Sequence, residues 1–145
     1  MATDQHLVPG NDYVIRKAVA HDVPLILDSW LNSWRQSKYA GVIRNNDYYE
    51  TQRSVIEDLI ARGATLVVAD AGRTLFGWAC SELKDGLTVV HFVWVKDIYL
   101  RKGVEEALLD ALPGTKPGFF THYLHALGKN REWRWAPEMA RRKTL

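Results

Sequence analysis

Cysteine is nearly absent. Cys80 stands alone in the chain, so neither an internal disulfide nor a thiolate-rich zinc site can be built, and a reducing, cytoplasmic-type compartment is the expectation. Long apolar runs are missing too, none approaching the roughly 18 residues that a membrane helix needs. Residues 1–12 are polar and hold no apolar stretch, so they read as a flexible N-terminus and not as a secretory leader. Five prolines and ten glycines are too few and too scattered for a collagenous or low-complexity chain, and no internal repeat is visible. What is present is globular material, 47% hydrophobic and 25% charged over 145 residues, the size of one domain spanning 1–145.

The net charge of +2 conceals an asymmetry. Residues 129–145 hold six cations, Trp133 and Trp135 against two carboxylates, a balance of +4 that leaves −2 for the rest. Such a basic segment can hold a protein partner or a second copy of the chain; a solvated end is the plainer reading. No aromatic-interleaved motif or zinc spacing supports base readout, which argues against nucleic acid.

Hydrophobic spacing orders the elements. Tyr13–Lys17 reads as a strand. Asp22 reads as an N-cap, with Pro24 in the first turn of a helix that carries Val23, Ile26, Leu27, Trp30, Leu31 and Trp34 on one face. Asp47 and Glu50 resemble a capping box ahead of Val55, Ile56, Leu59 and Ile60, and Gly63 is a helix stop. The period then changes. Strands follow over Thr65–Ala69, Thr74–Leu83 and Leu87–Lys96, with turns at Asp70–Gly72 and Lys84–Gly86 and with Gly77 marking a bulge or a close approach. A helix from Val104 to Leu112 stops at Pro113-Gly114, and Pro117-Gly118 introduces a strand over Phe119–Leu124. The alternation in Trp133-Arg134-Trp135 fits an uncertain last strand. The order β-α-α-β-β-β-α-β implies an α+β fold, a mixed and mostly antiparallel sheet flanked by helices.

This order, with Ile15-Arg16-Lys17-Ala18, Val93-Trp94-Val95-Lys96-Asp97 and Tyr99-Leu100-Arg101-Lys102-Gly103-Val104 followed by Ala107-Leu108-Leu109, resembles the GNAT superfamily of acyl-CoA-dependent N-acetyltransferases over about residues 13–124. Phe120-Thr121-His122 and the stretch around His91 are similar, more narrowly, to small GNAT-like proteins of tailed bacteriophages. The resemblance implies acetyl-CoA or another acyl-CoA as donor and an amine as acceptor. It also implies a thioester clamp from the backbone of Val93, Trp94 and Val95, and a pyrophosphate loop over Leu100, Arg101, Lys102, Gly103, Val104 and Glu105. Backbone N–H groups at a helix N-terminus suit a phosphate. Of the three positions of the family's loop pattern, only Gly103 is kept. Leu100 and Glu105 replace the others, and a carboxylate about 5 Å from a phosphate costs roughly 1–3 kcal/mol. The same departures motivate the alternative of a non-catalytic GNAT-fold interaction or virion protein.

Acetyl transfer needs a base for the amine. His91, four residues before Val95, is the candidate, and Glu82 on the preceding strand is the runner-up. Tyr123 is the candidate acid for the leaving thiolate. His122 and His125 have no carboxylates or cysteines at ligand spacing, so no metal site is read. Cys80 reads as a buried structural thiol, Trp30 and Trp34 as core, and Tyr48 and Tyr49 as core or substrate contacts.

Overall fold

A computed structural model describes residues 6–7, 13–32, 45–99, 102–121, 132–136 and 139. The strands are β1 (His6–Leu7), β2 (Val14–Lys17), β3 (Thr65–Asp70), β4 (Leu75–Lys84), β5 (Leu87–Val95), β6 (Thr115–Phe120) and β7 (Arg134–Trp135); the helices are α1 (Val23–Asn32), α2 (Asn45–Ala61) and α3 (Val104–Ala111). The strands lie in one sheet in chain order. Pairing is antiparallel from β1 to β5 and parallel from β5 through β6 to β7. The mixed, mostly antiparallel sheet flanked by helices is thus the one the sequence implies. No helix among the described residues is long and apolar enough to cross a membrane.

Alternation along the strands sends side chains to two cores. Ile15, Val67, Ala69, Ala79, Val90 and Val95 pack under Val104 and Leu108 of α3 and Leu112 just past it. Val68, Trp78 and Cys80 pack on the other face against Ile26 and Trp30 of α1 and Val55, Ile56 and Leu59 of α2. Phe92 stacks on Trp30 and Trp78, which are tilted against each other, at centroid separations of 5.0–5.5 Å. The Cys80 thiol is buried, and burial pushes its pKa far up, so it is inert packing material.

Local signals explain the ends of the elements. Gly63, at φ +84°, closes α2 in a Schellman arrangement: Ala64 N–H bonds Leu59 O at 2.9 Å and Gly63 N–H bonds Ile60 O at 3.1 Å. Gly77 sits beside a register shift, and a Cβ there would fall 2.4 Å from the Trp94 carbonyl oxygen. Backbone cannot yield as a side chain does, so Gly77→Ala is expected to cost about 2 kcal/mol, read as a lower urea midpoint with an unchanged m-value.

Four sequence readings are corrected. Asp22 is not the N-cap of α1. A 3-10 turn, Ala20–Asp22, precedes that helix, and the Asp22 carboxylate takes the Val19 N–H at 2.8 Å, the third-residue role in a capping box. α2 begins at Asn45, ahead of Asp47. The last long strand starts at Thr115 and not at Phe119. Pro117 and Gly118 are not its entry turn: they lie in a bulge opposite Thr88, where the missing Pro N–H costs no ladder bond and a Cβ on Gly118 would strike the Thr88 carbonyl. The segment 129–145 is not all solvated tail, because Arg134–Trp135 joins the sheet and Ala136 is buried. β1 was not read from the sequence, because two residues carry no period.

Candidate active site

Two features meet beside β5. The first is the end of the described β5–β6 ladder. β5 pairs with β4 along its whole length, but with β6 only as far as Val90 and Phe120. The Thr121 N–H on the Val90 carbonyl, at 2.9 Å, is the last rung among the described residues. Beyond it Val93, Trp94 and Val95 pair with β4, and the residues that follow Thr121 lie outside the described ones. Val93 and Val95 face α3, and Trp94 faces α1 and α2.

The second feature is the start of α3. Gly103 precedes the helix at φ +82°, a conformation that favours glycine, and a Cβ there would meet nothing within 4 Å. The first helical bond runs from Ala107 N–H to Gly103 O at 3.0 Å, so the N–H groups of Val104, Glu105 and Glu106 have no acceptor inside the helix. Among the described residues no side chain caps them. Val104 is buried and anchors the turn in the core, Glu105 is half-buried, and Lys102 is exposed. Burial, then the neighbouring Glu106, pushes the Glu105 carboxyl above the usual carboxylate range. Neither glutamate is folded onto the helix amides, so these groups fit a pyrophosphate.

A buried polar chain lies where the described β5–β6 pairing ends. His91 is the extra residue of a bulge: Phe92 pairs with Cys80 and Val90 with Ser81, which leaves His91 without a strand partner. The ring is 0% exposed. Its Nε2 lies 2.7 Å from Glu82 Oε1 and its Nδ1 lies 2.9 Å from Thr121 Oγ1. Arg62, just past α2, donates from Nε and Nη2 to both Glu82 oxygens at 2.9 and 2.5 Å, and from Nη1 to Asp58 at 2.6 Å. Burial raises the Glu82 pKa, but the hydrogen bonds from Arg62 and His91 outweigh it and hold the carboxyl below its usual range. Burial lowers the His91 pKa against the opposing pull of Glu82. An ionised Glu82 can only accept, so Nε2 carries the proton of the neutral ring and Nδ1 is the acceptor for Thr121.

A cavity of about 300 Å³ lies at the other edge of this region, lined by Arg16, Asp22, Asp70, Arg73 and Lys96 among others. Asp22 and Asp70 engage Arg16, and Lys96 Nζ donates to Thr74 Oγ1 at 2.5 Å.

Of the residues singled out from sequence, the structure brings His91 and Glu82 into contact, and it sets Val93, Trp94 and Val95 at the end of β5 and Gly103, Val104 and Glu105 at the helix start. Leu100, Arg101, Tyr123, His122, His125 and Trp34 lie outside the described residues, as do the side chains of Tyr48 and Tyr49. Sequence reasoning missed Arg62 and Thr121. No group of three His, Cys, Asp or Glu among the described residues could hold a metal ion.

No family model and no curated protein matches the chain. Solved structures do match. A protein from Pyrococcus furiosus named as an acetyl transferase is 22% identical with a TM-score of 0.53, the match covering 68% of this chain and 70% of that one. A GCN5-related N-acetyltransferase from Rhodopseudomonas palustris is 15% identical at a TM-score of 0.50, over 73% of this chain and 66% of that one. A Clostridium difficile 630 protein named as an acetyltransferase is 15% identical at 0.50, over 84% and 77%. At such identities the likeness is one of fold alone, a fold shared with these three structures.

Proposed function

We propose that the chain is an acyl-CoA-dependent N-acyltransferase that works by direct attack of an amine. The observation that carries this reading is the start of α3 at Gly103, left-handed and without a side-chain cap among the described residues, beneath the C-terminal half of β5. The helix start gives amides that suit a diphosphate, and the end of β5 gives backbone for an extended thioester arm to follow. Acyl-CoA supplies the activated acyl group. The amides of Gly103, Val104 and Glu105 hold its pyrophosphate, with Lys102 adding charge; Leu100 and Arg101 belong to the same candidate loop by sequence. Backbone N–H groups along Val93–Val95 polarise the thioester carbonyl. His91, backed by Glu82, takes the amine proton, and Tyr123 is the candidate acid for the thiolate. The likeness to bacteriophage proteins, the placing of the protein in cytoplasm or virion, and the treatment of 1–145 as one domain belong to this proposal as well.

Acetyl-CoA tests it. At a hundredfold excess over Kd a ligand of the folded state adds about 2.7 kcal/mol, a rise of several degrees in Tm; no rise at millimolar acetyl-CoA contradicts the reading. Glu105 opposes the pyrophosphate, so Glu105→Gln is expected to tighten CoA binding about tenfold, measured by calorimetry. The pH dependence has a definite sign. As the pH falls through the raised Glu105 titration the carboxylate is neutralised, so the advantage of E105Q over wild type shrinks toward acid pH.

A second reading, a GNAT-fold interaction module, is favoured by one observation: Glu105 and Glu106 both occupy the first turn of α3, where carboxylates satisfy the helix dipole without a ligand. It predicts that E105Q binds CoA no better than wild type. It also predicts self-association or partner capture through 129–145, where Trp135 on β7 is 61% exposed.

A further inference from the structure

We propose that the cavity between the β3–β4 turn and the start of α1 is a ligand site of its own, taking a small hydroxylated phosphate monoester. Its volume is about 300 Å³, and its walls come from β2, the 3-10 turn, α1, the β3–β4 turn and the residue after β5. Leu25 and Leu75 belong to the core that α1 and α2 cover, so the cavity lies on that face of the sheet. α3 packs on the other face. The inference therefore stands apart from the acyltransfer reading.

The walls sort their charges. Arg16 uses four of its five N–H groups within the protein. Nε donates to Asp70 at 2.9 Å, Nη1 to Asp22 at 2.8 Å and to the Lys17 carbonyl at 3.0 Å, and Nη2 to Asp22 at 3.1 Å. Asp22 also takes the Val19 N–H, and Asp70 takes the Gly72 N–H at 2.8 Å. Burial opposes the ionised form of Asp22, but Arg16 and the Val19 N–H hold its carboxyl below the usual range; Arg16 and the Gly72 N–H do the same for Asp70. Both carboxylates are thus ionised and held by one guanidinium. Arg73 and Lys96 have no such partner. Arg73 is exposed and makes no ion pair or hydrogen bond among the described residues, and Lys96 Nζ gives one of its three protons to Thr74 Oγ1 at 2.5 Å. With Arg16, Arg73 and Lys96 facing Asp22 and Asp70, the walls carry one positive charge in excess.

These donors define the ligand. The Arg73 fork, two Lys96 protons and the last Nη2 proton of Arg16 come from three elements around one cavity. Such a spread suits a tetrahedral phosphate, with acceptors on several sides, better than a planar carboxylate that a single guanidinium can satisfy. The backbone that carries them is bonded: Ala71 N–H to Thr74 O at 3.0 Å across the turn, and Lys96 N–H to Phe76 O at 2.9 Å. A cavity of about 300 Å³ is the size of a small-molecule pocket and leaves room beyond a bare phosphate. Asp22 and Asp70 keep oxygen lone pairs for ligand hydroxyls, and Leu25 and Leu75 give an apolar wall for its carbons.

The test titrates ribose 5-phosphate, inorganic phosphate and acetate into the 15N-labelled chain at low salt without CoA. Ribose 5-phosphate is expected to give saturable amide shifts at Gly72, Arg73 and Thr74 and to bind about tenfold tighter than inorganic phosphate. Acetate binding as tightly as ribose 5-phosphate overturns the assignment, as does equal affinity for the two phosphates. Arg73→Gln and Lys96→Gln are each expected to weaken ribose 5-phosphate about tenfold. Lys84→Gln, which removes an exposed cation at the far end of β4, is expected to leave its affinity unchanged. Equal weakening by all three variants, the mark of a diffuse field, overturns the site, as do shifts that fail to saturate in millimolar ligand. Arg73 is an exposed turn residue, so R73Q is expected to keep the wild-type urea midpoint and its effect reads binding alone. CoA carries a phosphate monoester of its own, at the ribose 3′ position, so the titration is repeated with CoA and with dephospho-CoA present. Undisturbed ribose 5-phosphate binding supports a separate site. Displacement by either overturns it, and displacement by CoA alone assigns the cavity to that 3′-phosphate. A chain that binds ribose 5-phosphate but no acetyl-CoA overturns the acyltransfer reading and leaves this one standing.

Discussion

Trp78→Ala should cost about 4 kcal/mol, a drop in Tm on the order of 10 °C for a chain of this size. The indole is 0% exposed at the centre of the sheet face that α1 and α2 cover. Its ring lies 5.2 Å from Trp30 and 5.5 Å from Phe92, and both would face a void too rigidly framed to collapse. The Nε1 proton goes to Ser29 Oγ at 2.7 Å, and Ser29 in turn donates to the Leu25 carbonyl at 2.7 Å. The substitution therefore removes packing together with the bond that ties α1 to β4. Trp78→Phe should fall between Ala and wild type, since it restores most of the volume without the donor. Thermal unfolding of the three proteins measures the order.

Arg62→Gln should cost about 3 kcal/mol near neutral pH. Arg62 is 6% exposed, and its partner Glu82, at 24%, keeps enough water contact to hold the loss at the lower end of the range for a broken buried pair. The pH dependence separates this loss from simple repacking. In the wild type the Glu82 pKa is depressed, so its ionised form adds stability that is complete above the unfolded carboxylate value, about 4.3, and is lost as the pH falls through the folded value. Without Arg62, burial dominates and the Glu82 pKa rises. The stability gap between R62Q and wild type should therefore be widest above about pH 5 and close toward acid pH, where Glu82 is protonated in both. The same change should raise the His91 titration, because Arg62 opposes a charge on that ring. Urea unfolding across pH and NMR titration of the imidazole check the two halves.

These effects involve residues whose types were legible in the sequence and whose meetings were not. The switch from helical spacing before Gly63 to alternation after it placed both helices and the β3–β4–β5 meander, because each period answers to one buried face. His91 and Glu82 stood out as titratable groups in apolar strands. Their contact was within reach of hairpin arithmetic: the two-residue turn Asp85-Gly86 pairs Glu82 with Val89 and leaves His91 diagonal to it. Arg62 and Thr121 could not be read this way. Their partners lie 20 and 30 residues away in the chain, and only tertiary packing brings the end of α2 and the end of β6 to one histidine. The β6 boundary was misplaced because proline and glycine signal a turn locally, whereas here they fill a bulge that the neighbouring strand imposes.

The central proposal is that a nucleotide diphosphate seats on the amides around Gly103 while its thioester arm follows Val93–Val95 at the end of β5. Amide chemical shifts of the 15N-labelled chain during titration with CoA test this most directly. The account predicts saturable shifts at Gly103, Val104 and Glu105 together with Val93, Trp94 and Val95. Unmoved resonances at these six residues in millimolar CoA would contradict it.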